Sequence, residues 1–361
     1  MNRVLNFSAG PSMLPVEVLE KAAKEMLNCN GSGMSVMEMS HRSSSYEQIQ
    51  EEAKNTFKEL MGLDDEYEIL FLQGGGHTQF AMIPLNLLAE NEKADYLVTG
   101  SWAKKAYEEA KRYADVKVLA SSSDKNFSYI QEIVEDEIRK DVKFLYVCTN
   151  NTIYGTRIRP ETIEKINVPI VADMSSNILS EEYDMKKFDL IFAGAQKNIG
   201  PSGVTLVAMK KNLAGNAQAI TPTMLNYQTH LEKDSMYNTP PCYNIYISGL
   251  VAQWVKENGG VKEMEKRNKE KAKLIYDFID NSKLFQNPIE PKDRSLMNVV
   301  FVTGNKDLDA QFVKEAKAKG FENLKGHRSI GGMRASIYNA MPKEGVERLV
   351  EFMKEFEIAN R

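Results

Sequence analysis

The chain has 361 residues, with 46 Lys+Arg against 50 Asp+Glu and a formal net charge of −4 at pH 7. That length suits roughly two domains whose cores need no disulfide or metal staple, and 42% hydrophobic with 27% charged residues excludes global disorder. A mildly acidic chain is a poor general nucleic-acid binder, because phosphate backbones demand a basic face, so any anionic ligand must meet positive charge gathered locally.

Cys29, Cys148 and Cys242 stand far apart with no C-x-x-C pair. This pattern is neither a disulfide framework nor a metal site, and it suits a reducing compartment. The N-terminal MNRVLNFSAGPSML lacks the apolar stretch of a secretory signal. No apolar run approaches the ~18 residues that span a bilayer. A cytoplasmic location without a membrane partner is expected.

In chain order, short β-rich runs recur at EILFL (68–72), DYLVT (95–99), VKVLA (116–120), KFLYVC (143–148), VPIVAD (168–173), DLIFAG (189–194) and GVTLVAM (203–209). Most lack strict polar alternation, as strands buried on both faces do. Helix-length stretches at 77–89, 102–113 and 128–140 lie between them. This alternation predicts an α/β fold with a mostly parallel, seven-stranded, doubly wound sheet. The connection between the last two runs is too short for a right-handed crossover, so one strand should be antiparallel. From about 243 two helical patterns follow, through YNIYISGLVAQWVKEN and onward to about 281. Then come a strand (MNVVFVT), a helix (307–319), a strand (MRASI) and a helix (343–358). The expected division is a large α/β domain over 16–260 and a smaller α+β domain from 1–15 with 261–361.

Asp173 closes the run VPIVAD, and Lys197 lies just past DLIFAG in AGAQKNIGPSG. Ligands of doubly wound sheets bind outside the carboxyl ends of the strands, so parallel strands bring both residues to one rim. A solvated lysine and a turn-forming aspartate are the bland alternatives for each taken alone. Together they suit pyridoxal 5′-phosphate (PLP), with Lys as Schiff-base former and Asp holding the pyridine nitrogen protonated. GGGHTQF (74–80) joins a strand to an apolar helix, and its glycines would expose backbone N–H groups to a phosphate. Gln79 stands where the third glycine of a dinucleotide fingerprint would fall, and no Gly-Lys-Ser/Thr ending follows. Two of the four histidines begin the same triplet, His41-Arg42-Ser43 and His327-Arg328-Ser329, and Arg334 follows in GGMRAS. Such donors make good anion sites, although exposed loop charges read the same way. Trp102, after Thr99-Gly100-Ser101, can stack on a planar ring at the rim.

These residues, with NFSAGPSMLP (6–15), SHRS (40–43), QGGGHTQFAMIPLNLL (73–88), TGSWAKKA (99–106), ADMSSN (172–177), GAQKNIGPSG (194–203), YNTPPCYNIY (237–246) and GHRSIGGMRASIYNA (326–340), resemble the phosphoserine aminotransferases nearly end to end. These are class V, fold-type I PLP enzymes. The resemblance implies Lys197 and Asp173 as the catalytic pair. It implies cofactor binding by Gly76, His77, Trp102, Thr152, Gln196, Asn238 and Thr239, the last two reaching across a homodimer. His41, Arg42, His327 and Arg328 would take the substrate phosphate or the glutamate γ-carboxylate, and Arg334 the α-carboxylate. The implied reaction passes the amino group of glutamate to 3-phosphohydroxypyruvate, giving O-phosphoserine and 2-oxoglutarate in serine biosynthesis. Some relatives also serve pyridoxine synthesis. Some members carry Arg where this chain has His77 and Ser where it has Ala9, which removes one fixed charge from the distal anion site. Two rivals remain at this level. One is another class V enzyme, and a cysteine desulfurase is disfavoured because no Cys follows Cys242. The other is a non-catalytic phosphometabolite binder.

Overall fold

The computed structural model describes residues 3–89 and 91–360. Seven strands, β2 (Tyr67–Leu72), β3 (Lys93–Val98), β4 (Asp115–Ser121), β5 (Val142–Cys148), β8 (Ile170–Asp173), β9 (Leu190–Gly194) and β10 (Thr205–Lys210), form one sheet in the order β2-β10-β9-β8-β5-β3-β4. The β3–β4, β3–β5, β5–β8 and β8–β9 pairs are parallel, whereas β10 runs antiparallel to both β9 and β2. The expected single reversal is therefore present, and it follows from the short 195–204 connection, which has no room for a crossover helix. Buried side chains line both faces. Ile69, Phe71, Leu145, Val147, Ile191 and Ala193 belong to one cluster, while Leu70, Tyr96, Tyr146, Phe192 and Val207 belong to another. This two-sided burial explains the missing alternation.

Between strands lie α3 (Gly75–Leu87) and α4 (Ser101–Ala110), close to the expected helices. The stretch 128–140 does not form a helix and contains only a 3-10 turn at Glu135–Glu137. Tertiary partners hold its backbone instead: Ile130 N–H donates to Asp293 Oδ2 at 2.9 Å and Arg139 N–H to Asp95 Oδ2 at 2.9 Å. The segment crosses over β3 to reach β5, and those side-chain acceptors replace i→i−4 bonds. A short α5 (Pro160–Ile163) and α6 (Tyr227–Glu232) complete this part with the two-residue pair β6 (Asn150–Asn151) and β7 (Thr156–Arg157). Two helices that the motif reading did not foresee, α1 (Val16–Lys24) and α2 (Ser44–Leu60), pack with α7 (Cys242–Glu257).

Beyond α7, α8 (Gly260–Asn281), α9 (Lys306–Ala318) and α10 (Lys343–Ala359) enclose a second core with the antiparallel pair β11 (Asn298–Phe301) and β13 (Met333–Ser336). Phe285, Phe301, Phe312, Phe352 and Phe356 pack there ring to ring. The N-terminal β1 (Leu5–Asn6) pairs in parallel with β12 (Phe321–Glu322), which ties the start of the chain to this part. Among the described residues, no helix is long and apolar enough to cross a membrane, and no His/Cys/Asp/Glu cluster could hold a metal ion.

Buried polar groups join the second core to the sheet. Asn150 Nδ2 donates to Ser176 Oγ and to Asn298 Oδ1, both at 2.8 Å, and Asn298 Nδ2 donates to Ser336 Oγ at 3.0 Å. Lys271 of α8 is buried, and its ammonium donates to the carbonyls of Ile337, Tyr338 and Met341 at 3.0, 2.7 and 3.0 Å. Three donors meet three acceptors, which pins the turn after β13. Lys271→Met should therefore leave three buried carbonyls without these donors. It should lower the unfolding free energy by about 3 kcal/mol or more, measured by urea denaturation.

Candidate active site

The carboxyl ends of β5, β8 and β9 form one rim, because Cys148 pairs with Asp173 and Asp173 with Phe192 in parallel register. Asp173 ends β8 and is buried at 6% exposure. Its Oδ1 accepts from Ser175 N–H at 2.9 Å, and Ser175 Oγ accepts from Gly194 N–H at 3.0 Å. The turn after β8 is thus locked to the strand beside it. No Lys, Arg or His forms an ion pair with Asp173 among the described residues, so a buried carboxylate stands ready for a cationic ligand atom.

Lys197 enters from the β9–β10 connection. Its Nζ donates to Thr152 Oγ1 at 2.9 Å and lies 5.5 Å from the centroid of the Trp102 ring. Thr152, in the turn between β6 and β7, also accepts from Arg334 Nη1 through its carbonyl oxygen at 3.2 Å. One threonine therefore links the lysine to the arginine on β13. Burial pushes the Lys197 ammonium below its ordinary range, against the pull of Asp173 and with a smaller push from Arg334. A depressed lysine supplies more free amine near neutral pH, which is the form that attacks a carbonyl.

The glycine turn fits the expected phosphate cradle. Gly74 precedes α3 with φ 90°, and a side chain there would collide with Thr78 Oγ1 at 1.9 Å. The first turn of α3 holds Gly75, Gly76 and His77, whose N–H groups have no intrahelical acceptor. The His77 ring meets Trp102 edge-on, with centroids 5.6 Å apart. Asn238 reaches the same turn from within the chain, its Nδ2 donating to Gln73 Oε1 at 3.2 Å. Trp102 Nε1, Asn238 Oδ1 and Arg334 Nε are buried without hydrogen-bond partners. Buried polar atoms left without partners beside a lysine and a glycine turn at a helix N-terminus fit a polar ligand such as PLP.

The other expected residues divide. Gln196 is half-buried beside Lys197, with its side chain folded close to Gly194. His327 lies on the loop before β13, where burial first, then Arg334, Arg328 and Lys105, hold its imidazole below the usual range. Its Nδ1 is hydrogen-bonded to Ser329 Oγ at 2.7 Å. His41 and the exposed Arg42 precede α2, and among the described residues no hydrogen bond, ion pair or ring contact joins them to Lys197, Trp102 or Arg334. The exposed Thr239 likewise stands apart, in the loop before α7.

Three supports escaped the motif reading. Ser12 N–H donates to Gln196 O at 2.9 Å, and Ser12 Oγ donates to Lys197 O. Gly10, at φ 154°, brings the N-terminal loop so close that a methyl there would sit 3.4 Å from Lys197 Cγ. Asn198, next to the lysine, accepts from Asn339 N–H at 3.0 Å, and Asn339 Oδ1 accepts from Asn268 of α8 at 2.7 Å. The small residues in SAGPS were the available signal for the first two. Nothing local marks Asn339.

Comparison with known proteins agrees with this geometry. The model of the family described as "Aminotransferase class-V" matches residues 4–349. A phosphoserine aminotransferase of Bacillus cereus is 55% identical over the whole of both chains. One of Listeria monocytogenes is 56% identical, over all of this chain and 98% of its own. Among solved structures, the phosphoserine aminotransferase of Bacillus circulans subsp. alkalophilus superposes with a TM-score of 0.95 at 44% identity, covering 99% of each chain. The PLP-bound enzyme of Trichomonas vaginalis gives 0.92 at 38% identity, over 98% of this chain and 100% of that one. With a lysine, a carboxylate and a glycine turn at the ends of the strands, the chain belongs to the phosphoserine aminotransferase family of class V, PLP-dependent aminotransferases.

Proposed function

We propose that this enzyme moves the amino group of glutamate to 3-phosphohydroxypyruvate, giving O-phospho-L-serine and 2-oxoglutarate. The observation that carries the reading is the Lys197–Thr152–Arg334 chain of contacts, with a second cationic group, Arg328 beside the His327 ring, on the loop leading into Arg334. One arginine can clamp an α-carboxylate beside the reactive amine while the other group takes a distal phosphate or carboxylate.

When bound, PLP supplies an electron sink for the pair released as the substrate Cα–H bond breaks. Gly76 and His77 would hold its phosphate through backbone N–H groups, with Gln196 nearby and Asn238 of the partner subunit reaching across, and Trp102 would cover the ring. Asp173 would keep a proton on the ring nitrogen. Lys197 Nζ takes the proton from the substrate Cα and returns one to the product, and its depressed basicity suits both directions. Thr152 Oγ1 steers the amine in its free state. Arg334 orients the substrate so that the Cα–H bond faces that amine.

In this reading residues 16–260 form the cofactor domain, and 1–15 with 261–361 form the smaller domain that covers it. The enzyme acts in the cytoplasm as a homodimer. His41, Arg42 and Thr239, which no hydrogen bond, ion pair or ring contact joins to Lys197 among the described residues, then serve the partner's site.

The test compares 3-phosphohydroxypyruvate with pyruvate and glyoxylate as acceptors from glutamate. The phosphorylated acceptor should win in kcat/KM by roughly 10³-fold, because a site built for a charged group rejects analogues lacking it. Preference for glyoxylate or pyruvate would refute the assignment.

A further inference from the structure

We propose that Lys105 is a specificity-determining residue of the distal anion site, favouring a dianionic phosphate over a carboxylate on the substrate's far end. The inference rests on the function proposed above and adds a residue to it.

Lys105 lies one turn after Trp102 on α4, and its Nζ sits 4.7 Å from the centroid of the Trp102 ring. The same indole takes His77 edge-on at 5.6 Å and has Lys197 Nζ at 5.5 Å. Trp102 is therefore a hub that gathers Lys105 with the reactive lysine and the phosphate cradle. The charge of Lys105 is also uncommitted. The acidic residues one turn further on are engaged elsewhere, Glu108 with Lys111 at 3.3 Å and Glu109 with Arg112 at 3.5 Å. Lys105 itself is exposed and has no carboxylate partner among the described residues.

Its field reaches the loop that carries the second His-Arg pair. The three positive charges acting on His327 come from Arg334, Arg328 and Lys105. Arg334 lies beside the reactive end through Thr152, and Arg328 is the neighbour of His327 in sequence. Lys105 thus adds a positive charge, beside Trp102, to those of Arg334 and Arg328. The indole also holds the ammonium in place, so less side-chain freedom is lost when an anion binds.

Coulomb energy scales with ligand charge, so one lysine acts about twice as strongly, in free energy, on a phosphate near −2 as on a carboxylate at −1. The fold-loss for the phosphorylated substrate should then be about the square of that for glutamate. Lys105→Gln keeps most of the stem over the indole and removes the charge. In the PLP-loaded enzyme this variant should raise KM for 3-phosphohydroxypyruvate by roughly 10-fold and KM for glutamate by roughly 3-fold. Lys105→Arg should restore the phosphate preference. The difference should shrink in high salt, because the group is exposed.

Equal losses for both substrates in Lys105→Gln would mean that Lys105 only supports Trp102, and would overturn the inference. No loss for either would overturn it too. Both results are distinct from a wild-type enzyme that fails to prefer the phosphorylated acceptor, which would overturn the function itself and this inference with it.

Discussion

Replacing Lys197 by alanine is expected to leave a folded protein that binds PLP but lacks the visible band near ~410–430 nm and transaminates at least ~10⁴-fold more slowly. The structure gives the reason for both halves. Lys197 Nζ is held by one hydroxyl and faces one ring, and in the proposed mechanism its loss removes the Schiff-base nitrogen and the proton carrier together. The loop around it is anchored by backbone and neighbouring groups instead. Ser12 bonds to the carbonyls of Gln196 and Lys197, and Asn198 bonds to Asn339 and to Ile178 O. Truncation at Cβ leaves all of these in place. Spectra of the reconstituted variant and a coupled transamination assay check the two halves separately. A variant that keeps both band and turnover would place the Schiff base on another lysine.

The second large effect is expected at Asp173. Asp173→Asn keeps the shape of the side chain and can still accept from Ser175 N–H, so the turn to Gly194 should survive. The buried negative charge is lost, and with it the means of holding a proton on the ring nitrogen. Turnover should fall by about 10³-fold while PLP remains bound, since the electron sink weakens but the cradle at Gly76 and His77 is untouched. Steady-state kcat/KM and retention of the visible band through gel filtration provide the check. Wild-type turnover in Asp173→Asn would show that this carboxylate is not the one facing the ring nitrogen.

The sheet was readable because burial on both faces writes continuous apolar runs, and even the reversal of β10 followed from the length of one connection. The stretch 128–140 misled because Ile130, Ile133, Val134 and Ile138 recur at helical spacing. Its amides are instead taken by Asp293 and Asp95, partners far away in sequence. The positions of Asp173 and Lys197 were legible for a related reason: Asp173 ends one apolar strand and Lys197 lies just past another. The repeated His-Arg-Ser triplet was visible too, yet its two copies do different things. Ser43 caps α2 by accepting from Tyr46 N–H, whereas Ser329 holds the ring of His327. A triplet does not state which neighbour its serine will meet. The Asn339 link to the lysine loop and the uncommitted charge of Lys105 lay beyond the sequence for the same reason, since both depend on what the fold brings alongside.

The most direct test of the account is a single-turnover experiment on the PLP-loaded enzyme without any acceptor. Added O-phospho-L-serine should bleach the visible band completely, and glutamate should do the same, because each carries an α-carboxylate for Arg334 and a distal anion for the second cationic group. Alanine at the same concentration should leave the band nearly unchanged. Bleaching by alanine as fast as by O-phospho-L-serine, or a band indifferent to O-phospho-L-serine, would contradict the account.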